Sequence, residues 1–237
     1  MTYFADKNVL VVGGSRGIGA AIVRRFASDG AAVTFSYVGS EQAAGKLASN
    51  SGSRMVKADS SNRNEVIDLV KNAGPLDILV VNAGVVVYGA PAELDPDDID
   101  RLFRINVHAP YHAAVEASRR MPDGGRIILI GSSGAERVPM AGGAAYSASK
   151  AALRGMARGL ARDFGSRGIT VNVVQPGPTD TDMNPADGPF KDMMHDAMAI
   201  KRHARVDEIA AMVSYLAGPD SGMVTGAAQT IDGGASA

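Results

Sequence analysis

Residues 9–19, Val-Leu-Val-Val-Gly-Gly-Ser-Arg-Gly-Ile-Gly, contain the pattern that decides the fold. The four apolar residues predict a buried strand, the glycines predict a tight turn, and a helix-compatible pattern follows. Gly13 permits the chain to turn out of the strand, while Gly17 and Gly19 permit a pyrophosphate and the sheet to approach the helix closely. Free backbone amides at the start of that helix favour an anion. The stretch predicts the first unit of a dinucleotide-binding fold, and a tight turn without a ligand is the alternative on these residues alone.

The same order of strand and helix recurs along the chain. Five further short apolar runs are predicted strands, at residues 32–37, 54–56, 77–81, 126–130 and 170–174. Helical patterns separate them or follow them, at residues 41–50, 63–73, 96–121, 144–164 and 207–217. This alternation predicts an α/β fold of the Rossmann type, a doubly wound parallel sheet with helices on both faces in a three-layer sandwich.

No repeat, linker or low-complexity tract divides the chain. We therefore expect residues 1–237 to form a single domain. The alternation of strand and helix patterns is lost at residues 180–204, which contain Pro185, Gly188, Pro189 and four methionines. We predict that this segment covers the substrate, with core packing of the methionines as the alternative.

Composition excludes several classes of function. The 237 residues are 46% hydrophobic and 21% charged with a formal net charge of -1, so a sizeable core is expected and no basic field attracts nucleic acid or acidic lipid. The absence of cysteine excludes disulfides, thiolate metal sites and cysteine nucleophiles. His108 and His112 have helical spacing but no accompanying carboxylate motif, so no metal site is predicted. No apolar run approaches the about 18 residues that a membrane span needs, and no leader pattern is found, so we expect a cytoplasmic protein without membrane contact.

The residues after the second predicted strand bear on the choice between the two nicotinamide dinucleotides. An acidic residue at this point holds the ribose hydroxyls of NAD and repels a 2′-phosphate. Here the strand ends Ser36-Tyr37-Val38-Gly39-Ser40, and the first acid is Glu41. Arg16 supplies a cation in the glycine turn, and Ser40 offers a hydroxyl. The pattern favours NADP(H) over NAD(H); a solvated surface arginine is the alternative for Arg16.

A phenol and an ammonium lie four residues apart at Tyr146 and Lys150. This spacing places both on one face of a helix. A phenol with a pKa of about 10 is a poor acid-base group near neutral pH, and a neighbouring ammonium lowers that pKa by stabilising the phenolate. Ser132 or Ser133, just beyond the predicted strand at 126–130, offers a hydroxyl to a substrate carbonyl. An isolated Tyr and Lys at this spacing would be a surface pair, but the glycine turn upstream favours a catalytic pair.

From end to end, the chain resembles the short-chain dehydrogenase/reductase family. The motifs that carry the resemblance are residues 13–19, Asp59-Ser60, Val81-Asn82-Ala83-Gly84, Asn106, Ser132, residues 146–150, Pro176-Gly177, Thr225-Gly226 and Asp232-Gly233-Gly234. The resemblance implies that Asp59 holds the adenine, Asn82 supports the adenine-side ribose and the sheet, and Asn106 holds a water in a proton relay. Tyr146 exchanges the proton, and Lys150 binds the nicotinamide ribose and polarises Tyr146. Residue patterns and resemblance together predict cofactor contacts at Gly13, Ser15, Arg16, Gly17, Ile18, Gly19, Ser40, Asp59, Ser60, Asn82, Ala83, Gly84, Tyr146, Lys150, Pro176, Gly177, Thr179 and Thr181.

The chain departs from the family pattern at two positions. The family serine most often precedes the tyrosine by 13 positions, which points to Ser133, whereas the strand register points to Ser132. A one-residue slip of a strand turns every side chain to the other face, while a loop insertion costs little, so Ser132 is predicted. Val12 replaces the usual threonine and removes a hydroxyl that normally braces the turn.

A second set of segments is similar to a bacterial branch of this family that is associated with biofilm dispersal and described as binding cyclic di-GMP. These segments are residues 98–103, 108–112, 175–182 and 198–203. The resemblance implies an NADPH-dependent reductase of a small carbonyl substrate with a role in biofilm dispersal through binding of cyclic di-GMP. A non-catalytic protein that sequesters cyclic di-GMP and a 3-oxoacyl-thioester reductase are the alternatives. Residues 223–237 resemble the part of the family that packs against neighbouring subunits, which implies a homodimer or homotetramer.

Overall fold

The computed structural model describes residues 3–138 and 140–237. Seven parallel strands form one sheet in the order β3-β2-β1-β4-β5-β6-β7. The strands are β1 Asn8–Val12, β2 Ala32–Tyr37, β3 Arg54–Lys57, β4 Ile78–Val81, β5 Arg126–Ile130, β6 Thr170–Pro176 and β7 Ala228–Ile231. The α-helices are α1 Gly17–Ser28, α2 Glu41–Ser51, α3 Arg63–Lys71, α4 Pro96–Phe103, α5 Ala109–Ser118, α6 Ala144–Phe164, α7 Lys191–Asp196 and α8 Val206–Ala217. The predicted fold class is confirmed.

Both faces of the sheet are covered, which explains why β1 is apolar at every position after Asn8. Val9 and Val11 pack in one hydrophobic cluster with residues of α1, α2 and α8. Leu10 and Val12 pack in a second cluster with residues of α3, α5 and α6. Because successive side chains of a strand point to opposite faces, a strand between two helical layers needs apolar residues throughout.

Two helix starts show how local sequence sets the element boundaries. Asn62 caps α3, because its side-chain oxygen accepts hydrogen bonds from the backbone amides of Asn64 and Glu65. Asp95 caps α4 by accepting from the amide of Asp97, and Pro96 stands at the first helical position. The start of α4 agrees with the sequence pattern. The cap of α3 is Asn62, the residue directly before the predicted helix at 63–73.

The predicted helix over residues 96–121 differs from the structure in its middle and at its end. A π-helical turn, Arg104–His108, separates α4 from α5, and α5 ends at Ser118. A π-turn adds one residue to a helical turn without changing the apolar pattern on either side, so periodicity does not reveal it. Such turns are frequent at functional sites.

Two short elements were not predicted. β7 has four residues at the edge of the sheet, all partly or fully exposed, so it lacks the buried apolar run of the other strands. The six-residue helix α7 lies within the segment 180–204. His195 on α7 and the buried His203 share a hydrogen bond of 2.8 Å between Nε2 and Nδ1, which ties this helix to the start of α8.

The sheet reverses its order at β1, which pairs with β2 on one side and with β4 on the other. In open parallel sheets, ligands bind outside the carboxyl ends of the strands at such a switch point. The glycine turn after β1 and the Asn82-Ala83-Gly84 segment after β4 meet there. In the part of the chain that the structure describes, no helix combines the length and apolar character needed to cross a membrane.

Candidate cofactor and catalytic site

The glycine turn after β1 requires glycine at two positions for different reasons. Gly13 has a φ of +79°, and a Cβ there would lie 2.7 Å from Ala83 Cα. At Gly19, a Cβ would lie 2.2 Å from the carbonyl oxygen of Gly13. No side chain fits at these distances, so α1 packs directly against the turn.

Side chains from two neighbouring strands hold this turn in place. The amide of Gly13 donates to Ser36 Oγ at 2.9 Å, and Asn82 Nδ2 donates to the Gly13 carbonyl at 2.6 Å. Val12 is apolar, and the hydroxyl that braces the turn comes instead from β2. This role of Ser36 was not predicted from the sequence. Ser36 is 1% exposed, and its signal was a serine between the aromatic residues Phe35 and Tyr37 of a predicted strand.

The start of α1 is suited to an anion. Arg16 is the residue before the helix, its side chain makes no capping hydrogen bond, and no acid lies in the first turn. The first amides of a helix lack partners within the helix, so here they are open to a phosphate. Thr181 lies over the turn, since its Cγ2 is 3.2 Å from the position of a Cβ on Gly17. The segment 180–204 thus reaches the predicted cofactor site.

The chain after β2 presents no carboxylate before Glu41. Ser40 precedes α2, and its side chain makes no capping hydrogen bond. Arg16 is exposed and forms no ion pair within residues 3–138 and 140–237. A cation and a free hydroxyl, with no acid at the end of β2 itself, fit a phosphate group better than ribose hydroxyls.

The remaining predicted cofactor residues lie in loops at the same edge of the sheet. Asp59 follows β3, and its carboxylate accepts the amide of Ser61 at 2.8 Å. After β6, a Cβ on Gly177 would lie 2.5 Å from Asp232 Cβ, so this glycine permits close contact with the loop after β7. Thr179 is buried, and its hydroxyl donates to the Gly177 carbonyl. In this structure Thr179 therefore braces the loop.

The predicted catalytic side chains converge beyond the end of β5. Lys150 is 5% exposed, and its Nζ donates to the Ile130 carbonyl at 2.9 Å. Tyr146 lies one turn earlier on α6. Ser132 lies beside Tyr146, since Ser132 Oγ and Tyr146 Cε1 are 3.2 Å and 3.7 Å from the position of a Cβ on Gly134. The same Ser132 Oγ accepts the amide of Gly134 at 3.1 Å, so the backbone orients it.

Asn106 lies in the π-helical turn and is fully buried. Its Oδ1 accepts the amide of Val85 at 2.9 Å, and its Nδ2 donates to the Val85 carbonyl at 2.9 Å and to Ser149 Oγ at 3.0 Å. These bonds use both hydrogens of Nδ2 and one of the two lone pairs of Oδ1. Asn106 thus ties the segment after β4 to helix α6, and the side chain has a structural role beside the predicted water.

The pKa of Tyr146 differs from the sequence-based expectation. Burial raises this pKa, while the hydrogen bond with Ser132 lowers it in part and Tyr88 raises it further. The ammonium of Lys150 instead donates to a backbone carbonyl, and it does not lower the pKa of Tyr146 below its ordinary value. Tyr146 is therefore a neutral phenol at neutral pH, the form that can give up a proton.

Lys150 should make the stability of the protein depend on pH. Burial lowers its pKa from 10.5 to about 8, so between these values the unfolded chain binds more protons and stability rises with pH. In the cofactor-free protein, the free energy of unfolding of the wild type relative to Lys150→Met is expected to rise by about 2 kcal/mol between about pH 7 and about pH 9.5. Urea unfolding at both pH values measures it. Lys46→Met, at an exposed position of α2, is the control, and its free energy of unfolding should change with pH as that of the wild type does. If the difference in this free energy between the wild type and Lys150→Met did not change with pH, the burial effect would be contradicted.

Two side chains from loops, Tyr88 and Val138, lie near the catalytic group. The ring of Tyr88 lies 5.8 Å from that of Tyr146, centroid to centroid. A Cβ on Gly143 would lie 2.9 Å from Tyr88 and 3.1 Å from Val138 Cγ1, so Val138 is beside Tyr88. Sequence analysis missed Tyr88, because it lies in a loop without a pattern of its own.

The chain is similar to known proteins over nearly its whole length. A family model described as enoyl-(acyl carrier protein) reductase matches residues 12–236. The cyclic-di-GMP-binding biofilm dispersal mediator protein of Escherichia coli (strain K12) is 64% identical over 233 residues, which are 98% of this chain and 98% of that protein.

Two solved structures have the same fold and contain a cofactor. The crystal structure of BdcA in complex with NADPH superposes with a TM-score of 0.96 at 64% identity, covering 98% of this chain and 95% of that one. The crystal structure of a short chain dehydrogenase from Burkholderia cenocepacia J2315 in complex with NADP superposes with a TM-score of 0.98 at 45% identity, covering 99% and 100%. The predicted type of cofactor is the type that these two relatives bind. The chain belongs to the short-chain dehydrogenase/reductase family, a family of oxidoreductases, as the motifs predict.

Proposed function

We propose that this protein is an NADPH-dependent reductase of a carbonyl group on a small-molecule substrate. One arrangement supports this function: a buried ammonium, a neutral phenol and an oriented hydroxyl lie together beside the glycine turn. Lys150 Nζ is 3.2 Å from the position that a Cβ on Gly84 would occupy. The ammonium, which is on the same helix as Tyr146, therefore lies against the segment after β4. Acid-base, hydrogen-bonding and cationic groups thus meet at one edge of the sheet.

The residues at the switch point fit a phosphorylated dinucleotide. The open amides of α1 and the side chain of Arg16 would hold phosphates, with Ser40 beside the 2′-phosphate. Asp59 and Ser60 would lie at the adenine, and Lys150 at the nicotinamide ribose. When bound, NADPH supplies the hydride for the reduction.

The chain's own groups then manage the charge on the substrate oxygen. Tyr146 is protonated at neutral pH and donates its proton to the oxygen as negative charge develops there. The hydroxyl of Ser132 donates a hydrogen bond to the same oxygen, and the backbone of Gly134 holds that hydroxyl in place. Positioning and stabilisation of the oxyanion account for catalysis.

Turnover with defined substrates tests this function. We expect NADPH to be oxidised in the presence of an apolar ketone or aldehyde, because Tyr88 and Val138 lie beside the catalytic group. Oxidation only with acetoacetyl thioesters would favour the 3-oxoacyl-thioester reductase instead. Absence of oxidation across ketones, aldehydes and thioesters, with NADPH bound, would overturn the proposal.

Arg16 should set the preference for the phosphorylated cofactor. Arg16→Glu places a carboxylate near the 2′-phosphate, so the Kd for NADPH is expected to rise by about tenfold or more while that for NADH changes by less than about threefold. Fluorescence titration measures both constants. Arg24→Glu, an exposed position later on α1, is the control for net charge. An equal loss of affinity for NADH and NADPH would contradict a role for Arg16 at the 2′-phosphate.

A second candidate function is binding of cyclic di-GMP without turnover. It is favoured by the relative from Escherichia coli, whose name describes it as a mediator of biofilm dispersal that binds this messenger. Fold does not fix function. Biofilm dispersal by cells that express Tyr146→Phe at the wild-type level separates this function from the reductase. If dispersal persists in these cells, it does not require catalysis; if dispersal is lost, it does.

We further propose that residues 1–237 act as one NADP(H)-binding domain in the cytoplasm and assemble as a homodimer or homotetramer. The exposed Met223, before β7, lies in the C-terminal part that resembles the family's subunit contact. Light scattering of the purified protein measures the assembly state.

A further inference from the structure

A basic pocket lies between the start of α3 and the π-helical turn. It has a volume of about 330 Å³, and its lining includes Ser60, Ser61, Arg63, Arg104, His108 and His112. Only Ser60 belongs to the predicted cofactor contacts. The basic pocket therefore adjoins the adenine end of the cofactor site, and the catalytic group does not use it.

The charge around the basic pocket is one-sided. No carboxylate lines it, and the side chains of Arg63 and Arg104 form neither an ion pair nor a hydrogen bond with any residue in 3–138 or 140–237. The acid closest along α3, Glu65, is occupied: its two oxygens accept from the backbone of Asp59 and the side chain of Asn62. Burial lowers the pKa of His112, and the positive charges of Arg63 and His108 lower it further. The lining of the pocket thus contains two arginines and no carboxylate.

The hydrogen-bonding groups of the basic pocket are also free. Within the described ranges, the hydroxyls of Ser60 and Ser61 and the rings of His108 and His112 have no hydrogen-bond partner. Guanidinium groups and hydroxyls from two different elements therefore face one space. Such a set matches phosphate oxygens, which accept several hydrogen bonds at once and are best bound by arginine.

We propose that the basic pocket binds the phosphate group of a second nucleotide, distinct from the NADPH in the cofactor site. Its volume is near the lower end of ligand pockets, about 300–1,000 Å³, so it holds one nucleotide unit with the rest of the ligand outside. A mononucleotide and a cyclic dinucleotide share this chemistry. The site needs no turnover and stands apart from the proposed reduction. Because Ser60 belongs to both sites, a ligand in the pocket would affect the binding of the adenine end of the cofactor.

Calorimetry of the protein saturated with NADPH tests this site. The probes are GMP, cyclic di-GMP and inorganic phosphate, and saturation with NADPH keeps them out of the cofactor site. We expect at least one of the two nucleotides to bind with a micromolar Kd, and to bind about tenfold or more weakly to the double variant Arg63→Gln/Arg104→Gln, because each arginine donates to phosphate. The nucleotide that binds more tightly identifies the source of the phosphate.

Arg101→Gln is the matched control, an exposed arginine on α4 that does not line the basic pocket, and it should bind the nucleotide within about twofold of the wild type. Each single variant, Arg63→Gln and Arg104→Gln, is measured as well in case the double variant does not fold. No binding of either nucleotide at millimolar concentration overturns the site. Binding of inorganic phosphate alone, or nucleotide binding that these variants leave unchanged, overturns it too. NADPH oxidation with carbonyl substrates tests the reductase separately.

Discussion

Tyr146→Phe is expected to lower kcat for carbonyl reduction by about 10²- to 10⁴-fold, the usual contribution of a positioned general acid. The phenol is neutral at neutral pH because burial raises its pKa, and it is the group next to Ser132 that can deliver a proton. Removal of the hydroxyl leaves the ring and its packing against Tyr88 in place. The Kd for NADPH is therefore expected to stay within about threefold of the wild type, since cofactor contacts of the turn are untouched.

Steady-state oxidation of NADPH with the best carbonyl substrate measures this effect. Tyr111→Phe is the matched control, because Tyr111 is an exposed residue on α5, away from Ser132, and should retain full activity. If Tyr146→Phe reduces the substrate as fast as the wild type, the proton comes from another group and the proposed mechanism is wrong.

Gly19→Ala is expected to have the largest effect on cofactor binding. Its Cβ would lie 2.2 Å from the Gly13 carbonyl and 2.6 Å from Asn82 Nδ2, so the turn must open and the Asn82–Gly13 hydrogen bond must break. Overpacking of this kind costs about 1–3 kcal/mol of the free energy of unfolding. The Kd for NADPH is expected to rise by about tenfold or more, since the amides of α1 no longer face the pyrophosphate correctly.

Gly45→Ala is the control for the general effect of a glycine-to-alanine change in a helix. A Cβ at Gly45, within α2, meets nothing within 4 Å. This variant should be more stable by up to about 1 kcal/mol, because alanine favours helix, with no change in NADPH affinity. Urea unfolding and fluorescence titration measure both variants. Equal stability and equal affinity in Gly19→Ala and Gly45→Ala would contradict the close approach of α1 to the turn.

Most of the fold could be predicted from the sequence because it depends on local patterns. The apolar run of β1 and the glycines after it follow from rules that apply within a dozen residues. β7 could not be predicted in this way, because an exposed edge strand lacks an apolar pattern and forms by pairing with β6, which is distant in sequence.

The candidate site likewise contains residues that the sequence predicts and residues that it does not. Tyr146, Lys150 and the glycine turn have recognisable spacings. Ser36 and Tyr88 act through contacts across the fold, and no spacing along the chain marks them. The pKa of Tyr146 is a further case: proximity to Lys150 in sequence predicted a lower value, whereas burial, which only the folded structure defines, dominates.

The extra residue of the π-helical turn has a consequence for helix phase. An α-helix advances by about 100° per residue, so one inserted residue rotates everything that follows by about that angle about the helix axis. Asn106 faces α6, while Arg104 and His108, two residues before and after it, line the basic pocket beside the start of α3. Deletion of one residue in this turn would restore an unbroken helix and bring α4 and α5 into a common phase. It would also rotate α5 relative to α4, so residues that now contact α3 and α6 from the two helices could not all keep their neighbours.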